Sequence, residues 1–125
     1  MDQDRINTFA DATDDHQWTH VDVERARSGP FGGPIAHGYL TLSLLIPLCS
    51  ELVQMHGITM AVNYGLNKVR FPAPVPAGSK IRLGASLAAI RDVPGGVEAL
   101  IDAVTESDAS AKPVCVAQAV LRYYV

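Results

Sequence analysis

The sequence has no basic run. Its 125 residues hold ten Lys and Arg against thirteen Asp and Glu, for a formal net charge of −3. Such a chain offers a polyanion no electrostatic footprint, so nucleic acids and anionic membranes are poor partners. Net charge does not exclude a local basic patch for a phosphorylated cofactor. Long apolar runs are missing too. The longest, residues 40–48, is far too short to span a bilayer and is interrupted by Pro47. The first residues, Met-Asp-Gln-Asp-Arg, are acidic and lack the apolar stretch of a secretory signal, which makes the cytoplasm the expected compartment. Cysteine is scarce: Cys49 falls in an expected helix and Cys115 in an expected strand. Both read as small buried hydrophobes rather than a disulfide, a metal site or a nucleophile. What remains, 48% hydrophobic and 18% charged, is the composition of one globular domain over residues 1–125.

Hydrophobic spacing orders the elements. Residues 3–13 read as a short amphipathic helix, with Ile6, Phe9 and Ala10 on one face and Asp2 or Asp4 as its cap. Residues 14–34 read as irregular, with one turn of helix at 23–27 and a loop at Ser28-Gly-Pro-Phe-Gly-Gly-Pro34. About twenty irregular residues inside a compact domain point to a functional loop. Residues 35–56 read as the main helix. It is apolar on nearly every side and hence expected to be buried on nearly every side, kinked by Pro47 and closed by Gly57. Strands are expected at 60–71, 79–91, 97–106 and 114–125. Hairpin-type turns join the last three, which should pair antiparallel. The expected class is α+β, one long helix wrapped by an antiparallel sheet.

Two segments carry chemistry. Phe9-Ala-Asp-Ala-Thr-Asp-Asp-His-Gln-Trp-Thr-His-Val-Asp22 clusters carboxylates and imidazoles where a helix cannot continue, and sets Asp15 and His20 five residues apart across the break. A carboxylate and an imidazole converging on one spot can hold a water and move two protons. In Gly32-Gly-Pro-Ile-Ala-His-Gly-Tyr-Leu-Thr-Leu-Ser-Leu-Leu45 a Gly/Pro loop runs into an apolar helix, whose N-terminus favours a developing negative charge. Each reading has a structural competitor. Asp15 and His20 are residue types common in solvated loops. Asp14, Asp15, His16, His20 and Asp22 are potential metal ligands, but only His16 and His20 have helical ligand spacing, and no metal is expected. Asp22 suits the cap of a helix at 23–27.

The element order and motifs resemble the hot-dog fold, and more narrowly the MaoC-like dehydratases, with their (R)-specific enoyl-CoA hydratases and nodulation protein N group. The hydratase motif of that family runs approximately Asp-x-Asn-Pro-x-His-x-Asp or -Glu; here it stands as Asp15-His-Gln-Trp-Thr-His20-Val-Asp22. The Gln17-Trp18 variant is similar to the nodulation-N group. Pro34-Ile-Ala-His-Gly38 and Asn63-Tyr-Gly-Leu-Asn-Lys-Val-Arg-Phe-Pro72 extend the resemblance over most of the chain. Two positions depart from it. The family usually has a strand before its first helix, so either the sheet lacks that edge strand or the chain is shortened. A serine two helical turns after His-Gly in other hydratases aligns with Ile46; Ser43, one turn nearer, either substitutes for it or does not.

The resemblance implies reversible hydration of a 2-enoyl thioester to an (R)-3-hydroxyacyl thioester. Asp15 and His20 would act as the acid/base pair, and the Gly38 N–H would face the thioester oxygen. Gly38 alternatively serves close helix–strand packing. Trp18, His37, Tyr39, Ser43, Lys68 and Arg70 are the substrate-binding candidates. Trp18 and Tyr39 would line an acyl pocket or seal the loop. His37 would pack or cap the helix start. Lys68 and Arg70 would meet phosphates or remain solvated. The chemistry calls for no cofactor beyond coenzyme A or an acyl carrier protein holding the substrate, and open sheet edges imply a homodimer or larger assembly. A hot-dog thioesterase and a non-catalytic acyl-thioester binding module are the rival readings.

Overall fold

A computed structural model describes residues 1–125. Five helices come first: α1 (Gln3–Thr13), α2 (Trp18–Val21), α3 (Val23–Arg27), α4 (Gly38–Ser43) and α5 (Leu45–Leu52). Four strands follow: β1 (Met60–Arg70), β2 (Ile81–Val93), β3 (Gly96–Ser107) and β4 (Cys115–Tyr124). They form one antiparallel sheet in the order β1-β4-β3-β2, with β1 and β2 at the edges. The last three strands pair as consecutive hairpins, as their turn residues imply. The Pro94-Gly95 loop closes the first hairpin between paired Val93 and Gly96, with Gly95 at φ +81°, a conformation that favours glycine.

Capping residues set the short helices. Asp2 accepts from the Arg5 N–H at 2.8 Å to start α1, and Asp14 ends it in the left-handed region, φ 59°. Asp22 accepts from the Arg25 N–H at 3.1 Å and starts α3 at the expected position. The segment expected to be irregular also contains α2, a four-residue turn that includes Thr19 and His20. It is too short to show a hydrophobic period.

The main helix differs from the continuous element expected over residues 35–56. Residues 35–37 are extended instead. Ile35 bridges Pro76, and the Ala36 N–H donates to the Val75 carbonyl at 2.8 Å. The helix then runs from Gly38 to Ser43 and resumes at Leu45. Pro47 explains the interruption: it has no N–H for the Ser43 carbonyl, and its ring crowds that carbonyl. The end comes at Leu52, where Val53 turns extended at φ −137°; Gly57, at φ +75°, lies in the following loop and does not cap the helix.

Burial is less complete than the apolar circumference implied. Leu40, Thr41 and Leu45 are buried, whereas Leu52 and Val53 are more than half exposed. α4 and α5 cover only part of one sheet face. On that face Leu45 packs on Ala103, Cys115, Ala117, Ala119 and Leu121. Cys115 is buried as expected. Cys49 is only half-buried, because α5 leaves open space beside it. A second cluster joins α1 to the start of α4 through Ile6, Ala36, Leu40, Val75 and Val114.

Candidate active site

Asp15, His20 and His37 come together where the loop after α1 meets the start of α4. One ligand-type atom from each lies within 4.8 Å of the other two. Two heavy atoms that far apart can both hydrogen-bond one water, since two bonds of about 2.8 Å span about 5.6 Å. The Asp15 side chain is 54% exposed, and the His20 residue only 8%. The pair is thus an open carboxylate beside a sheltered imidazole.

The rings are held by backbone carbonyls. His20 Nδ1 lies 2.7 Å from the Ile35 carbonyl oxygen, and His37 Nε2 lies 2.9 Å from the Asp15 carbonyl oxygen. A carbonyl only accepts, so His20 carries its proton on Nδ1 and His37 on Nε2. In the neutral form of this ring the lone pair is therefore on Nε2. The two rings stack with centroids 3.9 Å apart and planes 25° apart. The Ile35 N–H donates to the Thr19 carbonyl at 3.0 Å, and Gln3 Nε2 donates to the His20 carbonyl at 2.7 Å, tying in α1. His16, which precedes α2, is exposed and bonds Asp11 at 2.9 Å, which raises its pKa. It takes no part in the cluster.

Gly38 is the first residue of α4. The N–H groups of Gly38, Tyr39 and Leu40 precede the first intrahelical bond, from the Thr41 N–H to the His37 carbonyl at 3.1 Å, and no side chain caps them. Gly38 also permits close packing. A Cβ there would stand 3.1 Å from Phe71 Cδ2 and Cε2. Phe71 was legible only as part of a motif; its place over the helix start was not. His37, missed as a neighbour of the Asp15–His20 pair, had one signal: it directly precedes Gly38.

The other sequence candidates do not converge on this cluster. Trp18 is half-buried under the Arg25 guanidinium, 4.4 Å from its ring centroid, and against Gly29, so it seals the loop. Tyr39 is 71% exposed and meets Phe71 edge-on at 6.4 Å. Ser43 Oγ donates to the Tyr39 carbonyl within its own helix at 2.7 Å. Lys68 and Arg70 pair with Gln118 and Val116, while the intervening Val69 packs toward α5. Alternation thus puts both cations on the sheet face away from the helices, exposed.

A cavity of about 610 Å³ opens at the other end of α5, between that helix, the 53–58 loop and the sheet. Its walls include Ile46, Cys49, Met55, Leu87, Ile101 and Leu121 and are predominantly apolar. Ile46, which replaces the expected serine, belongs to this wall.

The description "MaoC like domain" applies to the family model that matches residues 1–107. The chain is 53% identical over 122 residues to 3-hydroxyacyl-thioester dehydratase Z of Mycobacterium tuberculosis strain H37Rv, covering 97% of this chain and 81% of that protein. It is 54% identical over 84 residues to nodulation protein N of Rhizobium leguminosarum bv. viciae, covering 66% of this chain and 52% of the other. A monoamine oxidase regulatory protein from Archaeoglobus fulgius superposes with a TM-score of 0.81 and 26% identity, over all of this chain and 84% of its own. The (R)-hydratase from A. caviae involved in PHA biosynthesis superposes at 0.80 with 22% identity, over 97% and 86% of the two chains, a likeness of fold. The hot-dog fold expected from the sequence is the fold found.

Proposed function

Since the chain belongs to the MaoC-like domain family, we propose that it catalyses the reversible hydration of a 2-enoyl thioester to an (R)-3-hydroxyacyl thioester. The observation that carries this reading is the convergence of Asp15 and His20 beside the uncapped start of α4. The water sits between the Asp15 carboxylate and the His20 Nε2 lone pair. As its oxygen bonds to C3, His20 takes a proton from it. The C2–C3 π pair shifts toward C1, and negative charge builds on the thioester oxygen. The Gly38 N–H meets that charge, at a helix terminus where the unpaired donors and the dipole both favour it. The dyad returns a proton to C2, so the net addition is H and OH; the reverse sequence is dehydration.

The substrate is carried on coenzyme A or an acyl carrier protein, and the chemistry uses neither a redox group nor a metal. Asp15, His20 and His37 are ligand types for a divalent cation, and their carbonyl bonds leave His20 Nε2 and His37 Nδ1 free; turnover by EDTA-treated protein would show that the reaction needs none. The cavity beyond α5 suits an apolar tail. Along a helix, eight residues from Gly38 to Ile46 span about 12 Å, so only a medium or long acyl chain reaches it. The open edges of β1 and β2, with the exposed apolar end of α5, favour a homodimer. No helix is long and apolar enough to cross a membrane.

Crotonyl-CoA with purified, EDTA-treated protein tests the reaction. Loss of enoyl absorbance and chiral identification of (R)-3-hydroxybutyryl-CoA are expected. Release of free coenzyme A without hydration would establish the thioesterase instead, and binding without turnover the binding module. Sedimentation at micromolar concentration should show no dominant 13.4 kDa species.

A further inference from the structure

We propose that His37 is a positioning residue for the Asp15–His20 pair, acting through a reciprocal exchange of imidazole-to-carbonyl hydrogen bonds between the two motifs. The inference rests on the hydratase reading for its kinetic consequence and on geometry alone for the exchange itself. His37, in the helix-start motif, donates from Nε2 to the Asp15 carbonyl at 2.9 Å; His20, in the dyad motif, donates from Nδ1 to the Ile35 carbonyl at 2.7 Å. Each segment thus supplies one ring and one carbonyl. The rings stack at 3.9 Å within this clasp, and Phe9 of α1 closes on His37 at 4.9 Å between centroids.

Enclosure separates this role from substrate contact. His37 is 2% exposed, its Nε2 is committed to Asp15, and its Nδ1 is buried with no hydrogen-bond partner. A buried acceptor left unmatched is costly, and an apolar ring of similar size would avoid that cost. The Nε2–H bond is what such a ring cannot supply. It fixes the peptide from which the exposed Asp15 carboxylate projects, a residue that sits just past the end of α1 with no helical ladder to hold it. His37 is also the residue from which α4 starts, so one ring relates the carboxylate, the imidazole and the Gly38 N–H.

Two variants separate the donor from the ring. Gln places its amide nitrogen near the position of Nε2, whereas Phe keeps the ring and loses the donor. With crotonyl-CoA, His37→Phe should lower kcat by about 10- to 100-fold, the scale of a displaced catalytic group, with KM little changed. His37→Gln should recover most of that loss at a melting temperature no higher than that of His37→Phe. A residue that merely packs would give the opposite ranking, and a substrate contact would raise KM; either result overturns the proposal. Long-range ¹H–¹⁵N spectra of the parental histidine rings provide a readout without turnover. They should show the Nε2–H tautomer for His37 and Nδ1–H for His20. An Nδ1–H tautomer at His37 overturns the clasp even if neither variant folds. If the parent shows the expected tautomers but does not hydrate crotonyl-CoA, the hydratase reading fails and with it the positioning role, while the exchange of bonds stands.

Discussion

The two ends of the α4–α5 helix pair are built on opposite principles. At the start of α4, the segment from Asp15 through α2 and the segment 35–37 are cross-tied by imidazole–carbonyl bonds of 2.7 and 2.9 Å, and the histidines are almost wholly buried. At the end of α5, a cavity of about 610 Å³ is lined mostly by apolar side chains. Directional bonds fix positions to fractions of an ångström, which acid/base chemistry requires. Apolar walls select by volume and tolerate variation, which suits a substrate tail. A change at the first end should therefore cost turnover, and a change at the second should alter which chain length is preferred.

The sharpest way to break this contrast is to remove the chemistry at the clasped end. Asp15→Asn and His20→Ala should each reduce kcat for crotonyl-CoA by about 10²-fold or more, because positioned acid/base groups contribute about 10²–10⁴. The double variant should be far less impaired than the product of the two effects, since the groups act as a unit. Near-parental hydration by either single variant would remove that residue from the dyad. Next in size is Gly38→Pro. The Gly38 N–H has no intrahelical acceptor to lose, and His37 is already extended (φ −59°, ψ 138°), as a residue preceding proline should be. Losing an oxyanion donor costs about 2.7–4 kcal/mol, or roughly 10²–10³ in kcat. Affinity for a saturated acyl-CoA should change much less. Parental turnover by a folded Gly38→Pro protein excludes the oxyanion role.

The contrast also explains what could be read in the sequence. The strands were legible because turn residues delimit them: Pro94-Gly95 fixes one hairpin whatever lies around it. Asp15, His20 and Gly38 were legible as motif positions. The clasp was not, because a hydrogen bond from His37 to the Asp15 backbone leaves no trace in residue type at position 15. The main helix was misjudged for a related reason. Its apolar period runs through Ile35 and Ala36, but those residues pair with the 75–76 segment, and a backbone partner outweighed the periodicity. Lys68 and Arg70 were plausible phosphate ligands by charge alone. Only the register with β4 reveals that they face away from α4 and α5.

A more selective change tests the open end. Cys49 lines the cavity and is half-buried; burial also pushes its thiol pKa up, so it is no nucleophile in waiting. Cys49→Trp should fill part of that space. Its kcat/KM should fall about 10-fold more for a dodecenoyl thioester than for crotonyl-CoA, whose four carbons end short of Ile46. A pocket site that loses or gains a methylene typically discriminates by about 10- to 200-fold, and a partial block belongs at the lower end. Equal losses for both substrates would mean that the cavity does not receive the tail.

The smallest catalytic effect is expected on the far face of the sheet, where Glu98 provides a control for both ends. Its side chain is 2% exposed and bonds Arg122 Nε at 2.8 Å and Arg91 Nε at 2.5 Å; the Arg122 guanidinium lies over the Tyr64 ring. Arg122 first, then Arg91, holds the Glu98 carboxyl below its ordinary range. A carboxylate with a depressed folded pKa stabilises the protein above its unfolded value, about 4.3 for Glu, and that contribution is lost as pH falls through the folded value. Glu98→Gln should therefore melt below the parent at pH 7, and the gap should narrow as pH drops below about 4. Its crotonyl-CoA turnover at pH 7, measured well below the melting temperature, should stay close to parental. A gap that persists unchanged into acid would show that the carboxylate's charge is not what stabilises this face. A large loss of turnover would mean that the sheet transmits this ion pair to the clasp, and the two ends of the helix pair would no longer be independent of the surface behind them.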